Sequence, residues 1–134
     1  MSRMIFVNLP VRDLPKTRAF YGALGFGFNE HFSDDTAACL VISETIFAML
    51  LTHDKFKQFT KRAIMDTSTH VEVLNALSCE SRDEVDRLMS AALAAGGEEA
   101  RDAEDMGFMY HRAFNDLDGH TWELMWMDPA AIPG

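Results

Sequence analysis

Short runs of apolar residues, separated by polar turns, recur along the chain and predict β-strands. Two longer segments repeat their apolar residues with helical spacing, and each follows a residue that commonly caps helices, Asp13 or Ser81. Glu84 stands three residues after Ser81, which predicts a capping box. The predicted strands are 4–11, 26–32, 37–42, 46–52, 71–79, 98–104, 108–114 and 121–127, and the predicted helices are 14–24 and 82–95.

The order strand, helix, three strands therefore occurs twice, and it predicts an internal structural repeat of α+β class. We expect a single domain over residues 1–134, built from two tandem βαβββ units at about 1–53 and 68–134. A linker helix is predicted at about 54–65, where Phe56 and Phe59 have helical spacing. Because a unit of this size cannot bury both faces of its sheet, the curved mixed sheets are expected to enclose a ligand cleft, within one chain or across two.

Composition and charge narrow the range of partners. The formal net charge of −9 disfavours binding to nucleic acid and to anionic membrane surfaces. The longest apolar runs are too short to span a bilayer, and no signal peptide is apparent at the N-terminus, so a cytoplasmic location is expected. Cys39 and Cys79 are not in a CxxC motif and are predicted to be buried free thiols.

Three stretches resemble the vicinal oxygen chelate superfamily, which includes glyoxalase I, extradiol dioxygenases and the bleomycin-resistance proteins. They are VNLPVRDLPKTRAFYGALGF at 7–26, SRDEVDRLMSAALAAGG at 81–97 and FNDLDGHTWELMWMDP at 114–129. The resemblance implies paired βαβββ units around a small-molecule site, and it favours a homodimer. In metal-dependent members, the residue that matches Glu123 binds a divalent cation together with three residues from other strands.

The other three ligand positions that the resemblance implies carry Phe6, Met49 and Leu74 in this chain. None of these side chains offers the oxygen or nitrogen donors that divalent cations prefer. We therefore predict no metal cofactor, with a divalent metal retained as the alternative.

Strand periodicity places Glu123 on one face with Thr121, Met125 and Met127, and places Trp122, Leu124 and Trp126 on the other. Surrounded only by apolar side chains, Glu123 would serve as a general base, and it is the predicted catalytic residue. Among the histidines, His120 is predicted to be structural, whereas His70 and His111 are secondary candidates for ligand contact. The predicted ligand-binding residues are Phe6, Asn8, Met49, Leu74, Tyr110 and Met125.

Two functions follow, together with a third, purely structural alternative. The first is a binding or sequestration protein that holds a cationic or flat apolar small molecule without metal, through stacking and cation–π contacts. The second is a lyase or isomerase of lactoylglutathione-lyase type, either metal-dependent or using Glu123 as base. In the third, Glu123 is merely structural and the protein acts through oligomerisation.

Overall fold

The computed structural model describes residues 2–131, which divide into two units, residues 2–66 and 67–131. The first unit contains β1 (Ile5–Val11), α1 (Leu14–Ala23), β2 (Gly27–Asn29), a 3-10 turn (Glu30–Phe32), β3 (Ala37–Val41), β4 (Ile46–Thr52) and α2 (His53–Phe56). The second contains β5 (Leu74–Ser78), α3 (Arg82–Ala94), β6 (Glu98–Asp105), β7 (Met109–Asn115), β8 (Thr121–Met127) and a 3-10 turn (Pro129–Ala131). No helix within residues 2–131 is long and apolar enough to cross a bilayer.

Each unit folds around one four-stranded mixed sheet, and the two sheets have the same topology. The strand order is β1-β4-β3-β2 in the first and β5-β8-β7-β6 in the second. In both sheets the first strand pairs in parallel with the last, while the other pairs are antiparallel. The α+β class and the repeated βαβββ unit are confirmed.

The residues that begin the two long helices act as predicted. The Asp13 side chain accepts a hydrogen bond from the Lys16 amide at 3.1 Å, which satisfies one of the unpaired donors at the start of α1. Ser81 accepts from the Glu84 amide at 3.0 Å at the start of α3. Glu84 in turn accepts at 3.1 Å from the amide of Glu80 rather than from that of Ser81, so the capping box is displaced by one residue.

One face of each sheet packs against the helix of its own unit. In the first unit, the side chains at 0–1% exposure on this face include Leu9, Leu40, Ala48 and Leu50. In the second, Trp122 and Leu124 are buried, and Val85 and Met89 of α3 are fully buried. The opposite sheet faces are not covered by these helices, and they carry most of the predicted site residues.

Three predicted elements are shorter in the structure. The strand predicted at 26–32 ends at Asn29, because the Asn29 side chain accepts from the His31 amide and turns the chain into a 3-10 turn. The linker helix stops at Phe56 instead of reaching 65, and a Thr60 side chain bonded to the Arg62 amide marks a local turn beyond it. The strand predicted at 71–79 is paired only over Leu74–Ser78.

Candidate functional site

The open face of the first sheet brings together three predicted ligand-binding residues. Phe6 and Asn8 lie on the face of β1 opposite to the buried Leu9. The parallel register pairs them with Phe47 and Met49 of β4. Phe6 and Phe47 stack with ring centroids 4.8 Å apart and an interplanar angle of 11°. Phe6 is 45% exposed, so one aromatic ring of this pair is open to solvent.

The open face of the second sheet carries Glu123, the predicted catalytic residue. Antiparallel pairing puts Ala113 opposite Glu123 and His111 opposite Met125, which places these four side chains on one face. Leu74 lies on the same face, opposite Thr121 in the parallel register of β5 with β8. The structure therefore brings Glu123, Met125 and Leu74 to one face; periodicity predicted this for Glu123 and Met125, and Leu74 was named from the resemblance.

Glu123 is not a lone carboxylate, and this corrects the expectation of purely apolar surroundings. Arg101 of β6 donates from Nη2 to Glu123 Oε2 at 2.8 Å. The same guanidinium donates to His111 Nδ1 at 2.7 Å and, from Nη1, to Glu104 Oε1 at 3.2 Å. His111 Nε2 lies 3.4 Å from Glu104 Oε2. We call Arg101, Glu104, His111 and Glu123 the ionic cluster.

The ionic cluster is partly screened from solvent. The side chains of His111, Glu123 and Arg101 are 15%, 24% and 35% exposed, while Glu104 is more open. Apart from His111, the cluster sets two carboxylates against one guanidinium. These formal charges sum to one negative charge.

The residue types do not fit the divalent cation that the resemblance implies. Phe6, Met49 and Leu74 offer no hard donor, and the carboxylate of Glu123 is already engaged by Arg101. Among residues 2–131, no three His, Cys, Asp or Glu side chains are placed to hold a metal ion.

Within the second sheet, Tyr110 is the predicted binding residue that does not lie on the face of Glu123. Its hydroxyl donates to Asp86 Oδ1 of α3 at 2.6 Å, which places the ring on the helix side of the second sheet. This bond and burial raise the pKa of Tyr110, since Asp86 favours the protonated phenol. Tyr110 is thus a partly exposed neighbour of α3 within its unit.

His120 has the structural place that was predicted for it. It is buried, at 2% exposure, in the turn between β7 and β8, and its Nδ1 pairs with the carboxylate of Glu72. The Asp116 side chain accepts from the amides of Asp118 and His120 at 3.0 and 2.9 Å, which closes the turn. The pair of His120 with Glu72 joins this turn to the segment that precedes β5.

Arg101, like Phe47 and Glu104, is a site residue that the sequence did not predict. It lies in β6, whose sequence EEARDAED is charged at six of eight positions and shows no alternation of apolar and polar residues. The register between β6 and β7 also shifts between Glu99 and Arg101 and again before Glu104. A strand with such irregularities does not reveal which side chains face which side.

Comparison with known proteins agrees with this architecture. The sequence model of the family described as bleomycin resistance protein-like N-terminal matches residues 3–43. No curated protein sequence matches the chain significantly.

Solved structures resemble the chain over almost its whole length. A hypothetical protein from S. aureus shares 27% identity with a TM-score of 0.78, covering 94% of both chains. A glyoxalase-related enzyme from Fulvimarina pelagi shares 21% identity with a TM-score of 0.77, covering 94% of this chain and 88% of that one. The fosfomycin resistance protein FosX from Listeria monocytogenes shares 21% with a TM-score of 0.66, covering 94% and 91%. The expected resemblance to the vicinal oxygen chelate superfamily is thus confirmed at the level of the fold.

Proposed function

Since this chain has the fold of the vicinal oxygen chelate superfamily, we propose that it binds a small, flat, cationic or apolar organic molecule without a divalent metal. The observation that carries the proposal is the stacked Phe6–Phe47 pair on the open face of the first sheet. The proposed role is sequestration of the molecule rather than its chemical conversion.

The aromatic pair has the geometry of a stacking platform. Two nearly parallel rings at 4.8 Å present a flat apolar surface, and Phe6 leaves nearly half of its area open. An aromatic ring that stacks on such a surface gains about 0.5–1.5 kcal/mol beyond the burial of apolar area. A cation placed over the ring face gains about 0.5–2 kcal/mol.

The neighbours of the pair suit a permissive site. Met49 lies next to Phe47 on the same face of β4, at a two-residue interval, and its flexible thioether adapts to ligands of different shapes. Asn8 is exposed beside Phe6 and supplies an amide group that hydrogen-bonds polar substituents. The platform therefore combines apolar area with one neutral polar group.

The charge of the whole chain favours a cationic ligand over an anionic one. A net charge of −9 produces a negative field, which raises the local concentration of small cations and repels anions. A planar aromatic cation satisfies both the shape of the platform and the sign of this field.

Removal of one ring tests the proposal. We expect 9-aminoacridine, a planar aromatic cation, to bind the protein, and Phe6→Ala to weaken that binding about tenfold, because stacking and cation–π contacts are lost. Fluorescence titration of the dye measures the affinity, with 9-anthracenecarboxylate as a planar anion of similar size. Phe59→Ala is the matched control, because Phe59 is 70% exposed and lies outside the platform.

If Phe6→Ala and the unchanged protein bound 9-aminoacridine with equal affinity, the stacking platform would not be the binding site. Tighter binding of the anthracene anion than of the acridine cation would instead show that the field of the protein does not select the ligand. The dye should also raise the midpoint of thermal unfolding, since a ligand at a hundred times its Kd adds about 2.7 kcal/mol of stability.

The lyase or isomerase alternative has less support from the geometry. Glu123 as a general base would first have to leave Arg101, which holds it at 2.8 Å. The three further ligand positions of a metal-dependent enzyme carry no suitable donor. A hemithioacetal isomerisation assay with and without added divalent metals decides this alternative: turnover that disappears in Glu123→Gln would establish it over sequestration.

A further inference from the structure

Three methionines and a histidine share the open face of β7 and β8. Met109 pairs with Met127 across the two strands, and His111 pairs with Met125. The intervening residues Tyr110 and Trp126 face α3, where Arg82 lies over both rings. The strand alternation therefore aims Met109, Met125 and Met127 to the side away from the helix.

The three thioethers are within reach of one another. Directly opposed residues of an antiparallel pair have Cβ atoms about 4.5–5.5 Å apart, and diagonal neighbours lie about 7–8 Å apart. Met109 and Met127 form such an opposed pair, and Met125 is diagonal to Met109. Because methionine has three rotatable side-chain bonds, the three sulfur atoms can converge on one point. All three side chains are partly accessible to solvent.

We propose that Met109, Met125 and Met127 form a binding site for a soft monovalent cation, Cu(I) or Ag(I). Thioether sulfur is a soft ligand that selects such ions over Mg²⁺, Ca²⁺ and Mn²⁺, which prefer oxygen. The site is formed by other residues than the stacking platform, and the proposal does not rest on the proposed binding of an organic molecule.

The ionic cluster supports this site electrostatically and leaves the coordination to sulfur. His111 pairs with Met125 beside the Met109–Met127 pair. Its Nδ1 accepts from Arg101 and its Nε2 lies near Glu104, so both ring nitrogens are already engaged. Glu123 lies two residues before Met125 on the same face. The negative surplus of the cluster attracts a monovalent cation without adding a hard ligand to the site.

The two thiols of the chain are poor competitors for the ion. Cys39 and Cys79 are both buried, at 1% and 8% exposure. Burial raises the pKa of both, that of Cys79 to about 11, so the thiolate that binds soft metals is disfavoured at neutral pH.

Methyl resonances of methionine report directly on the site. In protein labelled with [¹³C-methyl]methionine, we expect one equivalent of Ag(I) to shift the methyl signals of Met109, Met125 and Met127 among the nine methionines. Assignment by single Met→Leu variants identifies each signal. Binding at Cys39 or Cys79 instead would leave the three methyl signals unshifted and would overturn the proposal.

Affinity measurements complete the test. Competition with a chromogenic Cu(I) chelator under reducing, oxygen-free conditions should give a Kd that rises about tenfold or more in Met125→Leu, because a ligand is lost while volume is kept. Met65→Leu is the control, since Met65 is exposed and lies in the first unit. Unchanged affinity in the triple variant Met109→Leu/Met125→Leu/Met127→Leu, with its thermal unfolding unaltered, would refute the site.

Discussion

The two sheets share a topology, but their open faces differ in chemistry. The first presents the stacked Phe6–Phe47 pair with Met49, whereas the second presents the ionic cluster around Arg101 and Glu123. Strand order and pairing are the same in both. The backbone topology thus supports either an aromatic or a charged face, and the side chains alone decide which kind of ligand each face suits.

The helix-covered faces of the two sheets also differ in polarity, and the second is again the more polar. In the first unit, α1 covers leucine and alanine side chains such as Leu40 and Leu50. In the second, Asp86 of α3 accepts hydrogen bonds from Tyr110 at 2.6 Å and from Arg112 at 3.3 Å. The second unit therefore adds solvent-exposed hydrogen bonds between its helix and its sheet, and these bonds orient the side chains of Tyr110 and Arg112.

We expect the largest difference between the two units when the turn before the last strand of each is changed. Gly119 has φ of 86°, and an added Cβ would lie 2.6 Å from the Thr67 carbonyl oxygen. We expect Gly119→Ala to lower the free energy of unfolding by about 3 kcal/mol through backbone strain and this clash. The matching turn of the first unit has no glycine, so Glu44→Ala should change the free energy of unfolding by less than about 0.5 kcal/mol. Urea unfolding of both variants measures the contrast.

The two buried cysteines should differ in how they change the free energy of unfolding at alkaline pH, and this effect is smaller than that of Gly119→Ala. Burial, followed by the charge of Glu84, raises the pKa of Cys79 from 9.0 to about 11. The native state therefore keeps a proton that the unfolded chain loses, and the stability present below pH 9 falls as the pH rises towards 11. We expect the unfolding free energy of Cys79→Ala to fall less between pH 8 and 10.5 than that of Cys39→Ala. Equal slopes in urea titrations would contradict this.

The smallest expected effect concerns one ion pair in each unit. Arg101 and Glu123 are 2.8 Å apart and partly buried, whereas Arg18 and Glu30 are 2.6 Å apart but Glu30 is 69% exposed. Because solvent screens exposed pairs, double-mutant cycles should give a coupling of about 0.5–1 kcal/mol for Arg101–Glu123 and nearly zero for Arg18–Glu30. A larger coupling for Arg18–Glu30 would reverse the comparison.

Much of the architecture could be predicted because it depends on local patterns. The alternation in β8 correctly separated Glu123 and Met125 from Trp122 and Leu124, since successive strand residues face opposite sides. Asp13 and Ser81 marked the helix starts through their capping side chains. The prediction failed for the linker helix beyond Phe56, where two phenylalanines at helical spacing were too weak a signal.

The candidate site could be predicted only in part. Tyr110 was named from its type, but it pairs with Trp126 and so lies on the helix side of the sheet, where it bonds to Asp86. Glu123 was identified correctly as the acid of the open face, while its partner Arg101 lies 22 residues earlier in an irregular strand. No local pattern links two residues so far apart when the register between their strands shifts.

The amino-acid sequence by itself determined the two βαβββ units, the helix starts and the side of β8 on which Glu123 lies, because each depends on neighbours a few residues away. Only the tertiary structure decided that Arg101 pairs with Glu123, that Phe6 stacks on Phe47, and that Met109 shares a face with Met125 and Met127. These contacts join strands that are distant along the chain, so strand pairing and register, which are cooperative properties of the folded sheet, had to be known first.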